Sequence, residues 1–217
     1  MANQSPVDNA TSPGMAIFLN GTSSAGKTTL AYALQGQLEQ PFLHIALDQF
    51  RDGMPARFRG LNSPSGSTGT QGLNVVPVID EGIHYTRIEF GKMGLTMLRG
   101  MRRAMATMLS AGNNIIIDDI VMEKEFLMDY LSVFNGLKLY FVGVRCPYPV
   151  IEKRESNRPG RFPGTAYGQM NICHSHNIYD VQVNTAEHSP GACALMVIER
   201  IRKGPPEAFR LLREQAG

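Results

Sequence analysis

Met15-Ala16-Ile17-Phe18-Leu19-Asn20 runs apolar up to its final Asn, the pattern of a strand covered on both faces. From Thr29 the period changes, and Leu30, Leu34 and Leu38 recur at the spacing of one helix face. Apolar runs at Phe42 to Leu47, Ile115 to Ile120, Lys138 to Val144 and Tyr179 to Thr185 predict four further strands, separated by helix-length stretches. This alternation predicts an α/β fold whose mostly parallel five-stranded sheet is covered by helices on both faces. Ile83 to Ser110 reads as helix-rich and stops at Ala111-Gly112, while Pro147 and Pro149 open a helix running to about Asn157.

Between Gly60 and Gly72 the periodicity disappears into Gly, Ser and Thr, which predicts a mobile loop. Loops of this length in compact domains are functional or solvated excursions, and an acceptor-site flap is one of the two readings. Met1 to Gly14 is polar and reads as a flexible tail ahead of a single domain over 15–217.

Composition narrows the partners. A chain of 217 residues with 43% hydrophobic positions can bury one full core, and a second complete domain is not expected. Net charge is only +2, so no broad basic field recruits nucleic acid or membrane; Arg99, Arg102 and Arg103 are the one local hint of a basic track. No apolar run reaches the length of a membrane span. Cys146, Cys173 and Cys193 are odd in number and widely spaced, which argues against a disulfide framework or zinc cluster and fits a reducing cytoplasm. A small-molecule partner is therefore expected, and the oligomeric state is left open.

The chemistry begins at Gly21-Thr22-Ser23-Ser24-Ala25-Gly26-Lys27-Thr28, which satisfies the phosphate-loop pattern G-x-x-x-x-G-K-[ST] at every constrained position. Strand, loop and helix stand in the order that pattern needs. The glycines let several backbone N–H groups and the positive helix end face one anion, which predicts a nucleoside triphosphate site extending to Thr29. Lys27 then reaches the β- and γ-phosphates, and Thr28 supplies a hydroxyl to Mg²⁺.

Open α/β sheets bind ligands at the carboxyl ends of their strands, and three candidates fall there. Asp48 follows the Phe42 to Leu47 strand and reads either as a general base for an acceptor hydroxyl or as a helix N-cap. Ile115-Ile116-Ile117 ends in Asp118 and Asp119; alternation sends them to opposite faces, and Asp118 is the one expected to support the metal. Arg154, Arg158 and Arg161 either converge on one anion or form a solvated face, and their place after the fourth strand favours a phosphate-directed lid at about 153–168. Met93, Met97, Met101, Met105 and Met108 form a helical stripe that reads as core, and His174 and His176 offer two metal ligands on one strand face without a third.

In order and spacing, the phosphate loop, Pro41-Phe42-Leu43 leading to Asp48, Ile115 to Asp119, Val142-Gly143-Val144-Arg145-Cys146, Arg154-Glu155 with Arg158 and Arg161, and Tyr179-Asp180-Val181 with Thr185 resemble the chloramphenicol phosphotransferases. The resemblance covers most of the chain. It implies a P-loop kinase fold like that of adenylate and shikimate kinases, use of ATP and Mg²⁺, and phosphorylation of a hydroxyl on a small molecule such as an antibiotic. It implies Asp48 as base, Lys27 and Thr28 on triphosphate and metal, Asp118 supporting the metal, and Arg158 and Arg161 acting from the lid. The resemblance lapses from Met54-Pro55 to about Ala111-Gly112, which reads as a helical acceptor-site insertion over about 50–112. Phe42 stands where the family pattern has Trp, and Gly160 where it has Asp. The alternative is a phosphate-loop ATP-binding switch with no acceptor.

Overall fold

The structure, a computed structural model, describes residues 12–157 and 162–216. Its larger sheet has five strands, all paired in parallel, in the order β2, β6, β1, β7, β8. These are β1 (Met15–Asn20), β2 (Phe42–Ala46), β6 (Asn114–Asp119), β7 (Lys138–Arg145) and β8 (Val181–Asn184). All five lie where apolar runs predicted them, with ends shifted by a residue or two.

The central strands are apolar throughout because both faces are covered. Phe18, Ile115, Ile117 and Phe141 pack under α4 (Lys92–Ser110), α5 (Lys124–Val133) and α9 (Ala208–Ala216). Ile17, Leu19, Ile116 and Val142 pack on the other side under α1 (Lys27–Gln37) and α8 (Pro190–Arg202). Met101 and Met105, each 1% exposed, belong to the first of these cores and Met97 and Met108 pack against it, whereas Met93 is exposed, so four of the five methionines of the stripe are packing. Gly112 adopts φ 90° just beyond α4, the left-handed conformation that stops a helix.

The stretch read as a helical insertion carries a second sheet ahead of its long helix. After α2 (Leu47–Asp52) and a short 3₁₀ turn, β3 (Arg59–Leu61), β4 (Leu73–Asp80) and β5 (Ile83–Phe90) form three strands in sequence order. Ile83 to Phe90, expected to be helical, is thus a strand. Thr86, Ile88 and Phe90 are the more buried set and Arg87 and Glu89 are exposed, the alternation of a half-buried pleat, and β4 pairs with it residue by residue from Leu73↔Phe90 to Asp80↔Ile83. Only α4, beginning at Lys92, keeps the helical period.

The Gly/Ser-rich segment is ordered too, contrary to expectation. It contributes β3 and α3 (Thr68–Gln71), and Gly60, Gly69 and Gly72 serve close approach, while Gly66 supplies a positive φ of 81°. A Cβ on Gly72 would stand 2.0 Å from the carbonyl oxygen of Phe58, and one on Gly69 2.3 Å from Ser63 Oγ. α6 (Tyr148–Ser156) and α7 (Thr165–Met170) lie between β7 and β8, and Arg158 and Arg161 lie outside the described residues. No helix among the described residues is long and apolar enough to cross a membrane.

Gly72→Ala is expected to destabilise the protein by about 1–3 kcal/mol, because Phe58 presents rigid backbone to the new methyl group. Gly100→Ala, within α4 and with nothing inside 4 Å, is expected to stabilise by about 0.5–1 kcal/mol. Thermal denaturation of both variants checks the pair. Equal melting temperatures would return the Gly/Ser-rich segment to the mobile-loop reading.

Candidate active site

The loop starts where Asn20, fully buried, fixes the exit from β1. Asn20 Oδ1 accepts the Val121 N–H at 2.9 Å, while Nδ2 donates to Cys173 O at 2.6 Å and Tyr179 Oη at 2.7 Å. Gly21 follows because a Cβ there would meet Val144 O at 2.4 Å. Ser24 at φ 59° and Gly26 at φ 96° then turn the backbone through the left-handed region into α1. The first turn of α1 has neither an acidic residue nor a side-chain cap, so its N–H groups and positive dipole are left for an anion. The hydroxyls of Thr22, Ser23 and Ser24 are buried in the loop without a hydrogen-bond partner.

Lys27 and Thr28 meet β6 at the foot of this loop. Lys27 Nζ donates to Gly21 O and Thr22 O, both at 3.0 Å, and lies 3.7 Å from Asp118 Oδ1. Thr28 Oγ1 donates to Asp118 Oδ2 at 2.6 Å, and His44 Nε2 stands 3.4 Å from the same oxygen. Burial by itself would push the Asp118 carboxyl up. The Lys27 charge and the His44 and Thr28 hydrogen bonds outweigh it and hold the group below its ordinary range.

Asp119 faces the other side of the sheet, as strand alternation requires. Its carboxylate accepts the Tyr130 hydroxyl and the Ile120 N–H, the latter at 2.7 Å. Full burial raises its pKa despite these bonds and the nearby Arg102. The Arg102 guanidinium lies 4.8 Å and 4.9 Å from the Phe126 and Tyr130 ring centroids and donates to Asp129 at 2.9 Å. Of the two adjacent acids, Asp118 is therefore the one brought to the loop.

A cleft of about 840 Å³ joins the loop to the end of β2, and Lys27, Thr28, Thr29, Asp48, Asp118 and Arg154 all line it. Asp48 is not a helix cap. The cap position of α2 is Ala46, whose N–H donates to Gln49 Oε1 at 2.9 Å, and Asp48 sits in the first turn accepting Arg51 NH1 at 2.7 Å. Arg154 is committed to protein oxygens: NH2 donates to Thr185 O at 2.8 Å, and NH1 to Thr185 Oγ1 at 3.0 Å and Ala25 O at 3.5 Å. It ties α6 to the loop wall.

Two contributors, His44 and Gln169, carry no sequence signal, and a third, Thr185, is marked only by the family resemblance. Thr185 Oγ1 donates to Ala25 O at 2.6 Å, bracing the loop from the end of β8. His44 looks like any other position of an edge strand. Gln169 Oε1 accepts the Ser23 N–H at 2.7 Å from α7, 146 residues away in sequence. Conversely, His174 and His176 lie in a turn after α7 rather than on a strand, and burial lowers them to about 3 and about 4, so both are neutral at ordinary pH. Cys146, Cys173 and Cys193 are free and buried.

Residues 14–202 match the family described as chloramphenicol phosphotransferase-like protein. A Mycobacterium tuberculosis protein provisionally named an O-phosphotransferase is 31% identical over 209 residues, which span 93% of this chain and 89% of that protein. Among solved structures, the Mycobacterium tuberculosis APS kinase CysC in complex with AMPPNP and APS aligns with a TM-score of 0.59 at 14% identity, covering 88% of this chain and 98% of its own. A sugar kinase from Janibacter aligns with a TM-score of 0.57 at 17% identity, covering 88% and 95%. At these identities the two structures establish the fold.

The two acids give opposite pH signatures. Because the folded protein raises the Asp119 pKa, ionising it opposes folding, and that penalty grows as pH rises through and above the ordinary carboxylate range. Asp119→Asn removes the penalty while keeping an oxygen for the Ile120 N–H. Its melting temperature relative to wild type is therefore expected to rise between about pH 3.5 and pH 7. Melting curves across that range check it, and a relative fall would show that the ionised carboxylate is favoured in the fold.

Proposed function

The chain belongs to the chloramphenicol phosphotransferase-like family, and on that premise we propose that it is an ATP- and Mg²⁺-dependent kinase of a small-molecule hydroxyl. The observation that carries this reading is the meeting of Lys27, Thr28 and Asp118 in one cleft with Asp48. Acceptors of the chloramphenicol type, antibiotics with a primary hydroxyl, are the first to test.

The donor chemistry fits Mg²⁺. Thr28 Oγ1 and Asp118 Oδ2 are hard oxygens 2.6 Å apart, and an ion that retains waters and phosphate oxygens needs few protein ligands. Among the described residues no group of three or more His, Cys, Asp or Glu forms a metal cage, which suits the same arrangement. When bound, Mg²⁺ would offset charge on the β- and γ-phosphate oxygens.

The residues of the chain divide the remaining work. Loop N–H groups and Lys27 hold the triphosphate, and Asp48 accepts the proton of the acceptor hydroxyl. The acceptor oxygen forms a bond to the γ-phosphorus as the bond to the β,γ-bridging oxygen breaks. ADP leaves, the phosphate ester remains, and the proton passes from Asp48 to solvent. Arg51, paired with Asp48 at 2.7 Å, orients the base. Arg158 and Arg161 are assigned to the transferring phosphoryl group from the lid by the family pattern, and Arg154 to the wall of the nucleotide site.

Asp48→Asn keeps size and hydrogen bonding but removes the basic oxygen, so acceptor phosphorylation should fall by roughly 10²–10⁴-fold with little change in nucleotide affinity. Incubation with ATP, Mg²⁺ and a panel of hydroxyl-bearing antibiotics and metabolites, read by mass, gives the rate. Phosphate release without any phosphorylated product would replace the kinase with an ATP-hydrolysing switch.

Lys27→Ala should weaken triphosphate binding and abolish turnover, because no other side chain of the loop puts a cation on the β- and γ-phosphates. Nucleotide titration alongside the same mass assay checks it. Unchanged turnover would remove the phosphate loop from the mechanism.

A further inference from the structure

We propose that Gln169, on α7, is a phosphoryl-contacting residue: its carboxamide oxygen holds the loop at Ser23, and its NH₂ group donates to an oxygen of the γ-phosphoryl group. The inference rests on the triphosphate-binding part of the reading above.

Gln169 is 5% exposed, so its amide needs partners for both ends. The oxygen has a good one in the Ser23 N–H at 2.7 Å. The nitrogen has a poor one in Met122 Sδ at 3.9 Å, a thioether that accepts weakly and occupies at most one of two N–H protons. Buried donor capacity therefore remains beside the third residue of the phosphate loop. Met122 follows Asp118 and Asp119 out of β6, so the amide lies between the loop and the exit of the metal-side strand.

The helix that carries the side chain is held there by several bonds. Glu155, itself 5% exposed, accepts the Gly164 N–H at 2.8 Å and the Ala166 N–H at 3.2 Å, fixing the start of α7 to the end of α6. Thr86 of β5 donates its hydroxyl to Pro163 O at 2.8 Å and its N–H to Gly164 O at 3.3 Å. Gly168 leaves room for the Thr86 carbonyl, which a Cβ would meet at 2.8 Å. Thr165, Ala166 and Gln169 form the buried face of the helix. The smaller sheet, the arm that follows α6 and the phosphate loop thus share one connector, and a donor on it is preorganised rather than swung in from solvent.

The test compares affinities for ADP and for β,γ-imido-ATP, both with Mg²⁺, in the wild type, Gln169→Met and Gln169→Glu. Met keeps the volume and removes both polar ends; Glu keeps an oxygen for the Ser23 N–H and brings no donor. A hydrogen bond to a charged oxygen implies that each variant loses roughly tenfold or more for the imido triphosphate and less than about twofold for ADP. Wild-type discrimination in Gln169→Glu would show that only the Ser23 clamp matters and would overturn the proposal. Equal loss of both nucleotides would also overturn it, as a general loop defect. Expected discrimination in a protein that phosphorylates no hydroxyl would end the kinase reading and leave this contact standing. Failure of the wild type to bind either nucleotide would end both.

Discussion

Two neighbouring parallel strands end level with each other, and the cleft depends on that register. Leu19 pairs with Asp118 and Asn20 with Asp119, so the residue that launches the phosphate loop and the residues that end β6 leave the sheet side by side. In the first turn of α1, Thr28 reaches back to Asp118, and Lys27 lies between that carboxylate and two carbonyls of its own loop. A slip of one residue would exchange the two acids between faces. Asp118 would then point into the apolar layer beneath α4 and α5, and Asp119 would lose Tyr130.

That register is enforced from both sides of the sheet. Ile17 and Leu19 are needed under α1 and α8, while Ala16 and Phe18 are needed under α4, α5 and α9. Each face is dense enough that no shifted pairing keeps both satisfied. The same double coverage explains why the polar ends of β1 and β6 are fully hydrogen-bonded: Asn20 and Asp119 are buried, and an unpaired group there would cost about 1–3 kcal/mol. Core packing and site geometry are consequences of one constraint.

The smaller sheet adds a second connection. Its edge strand β5 receives the carbonyls of Pro163 and Gly164, which brings the insertion and the segment leading into α7 together. Gly60, Gly69 and Gly72 let backbone approach backbone in the Gly/Ser-rich stretch, and a low-complexity sequence becomes a packed corner. Arg154 and Thr185 close the opposite wall on Ala25 O. The loop is thus held at Ser23 from one side and at Ala25 from the other, while its hydroxyls remain without partners.

The sequence by itself determined the elements whose signal is local. The five strands of the larger sheet are apolar runs because both faces are buried, and the phosphate loop is a fixed spacing because its backbone conformation demands Gly at set positions. Strand alternation, a local rule, put Asp118 and Asp119 on opposite faces, and the Thr28 and Tyr130 contacts decided which of them faces the loop. Ile83 to Phe90 was misread because an alternating half-buried strand running directly into a long helix blurs both periods. The Gly/Ser-rich segment was misread because glycine marks close approach as readily as mobility, and only the neighbouring backbone tells which. Gln169 and His44 were invisible for a related reason: each acts through contacts with residues remote in sequence, leaving no periodicity and no motif. Arg154 shows the converse, a residue whose charge was legible and whose partners were not. Tertiary structure alone decided them, because a side chain's partner is set by where its element packs and not by its neighbours in the chain.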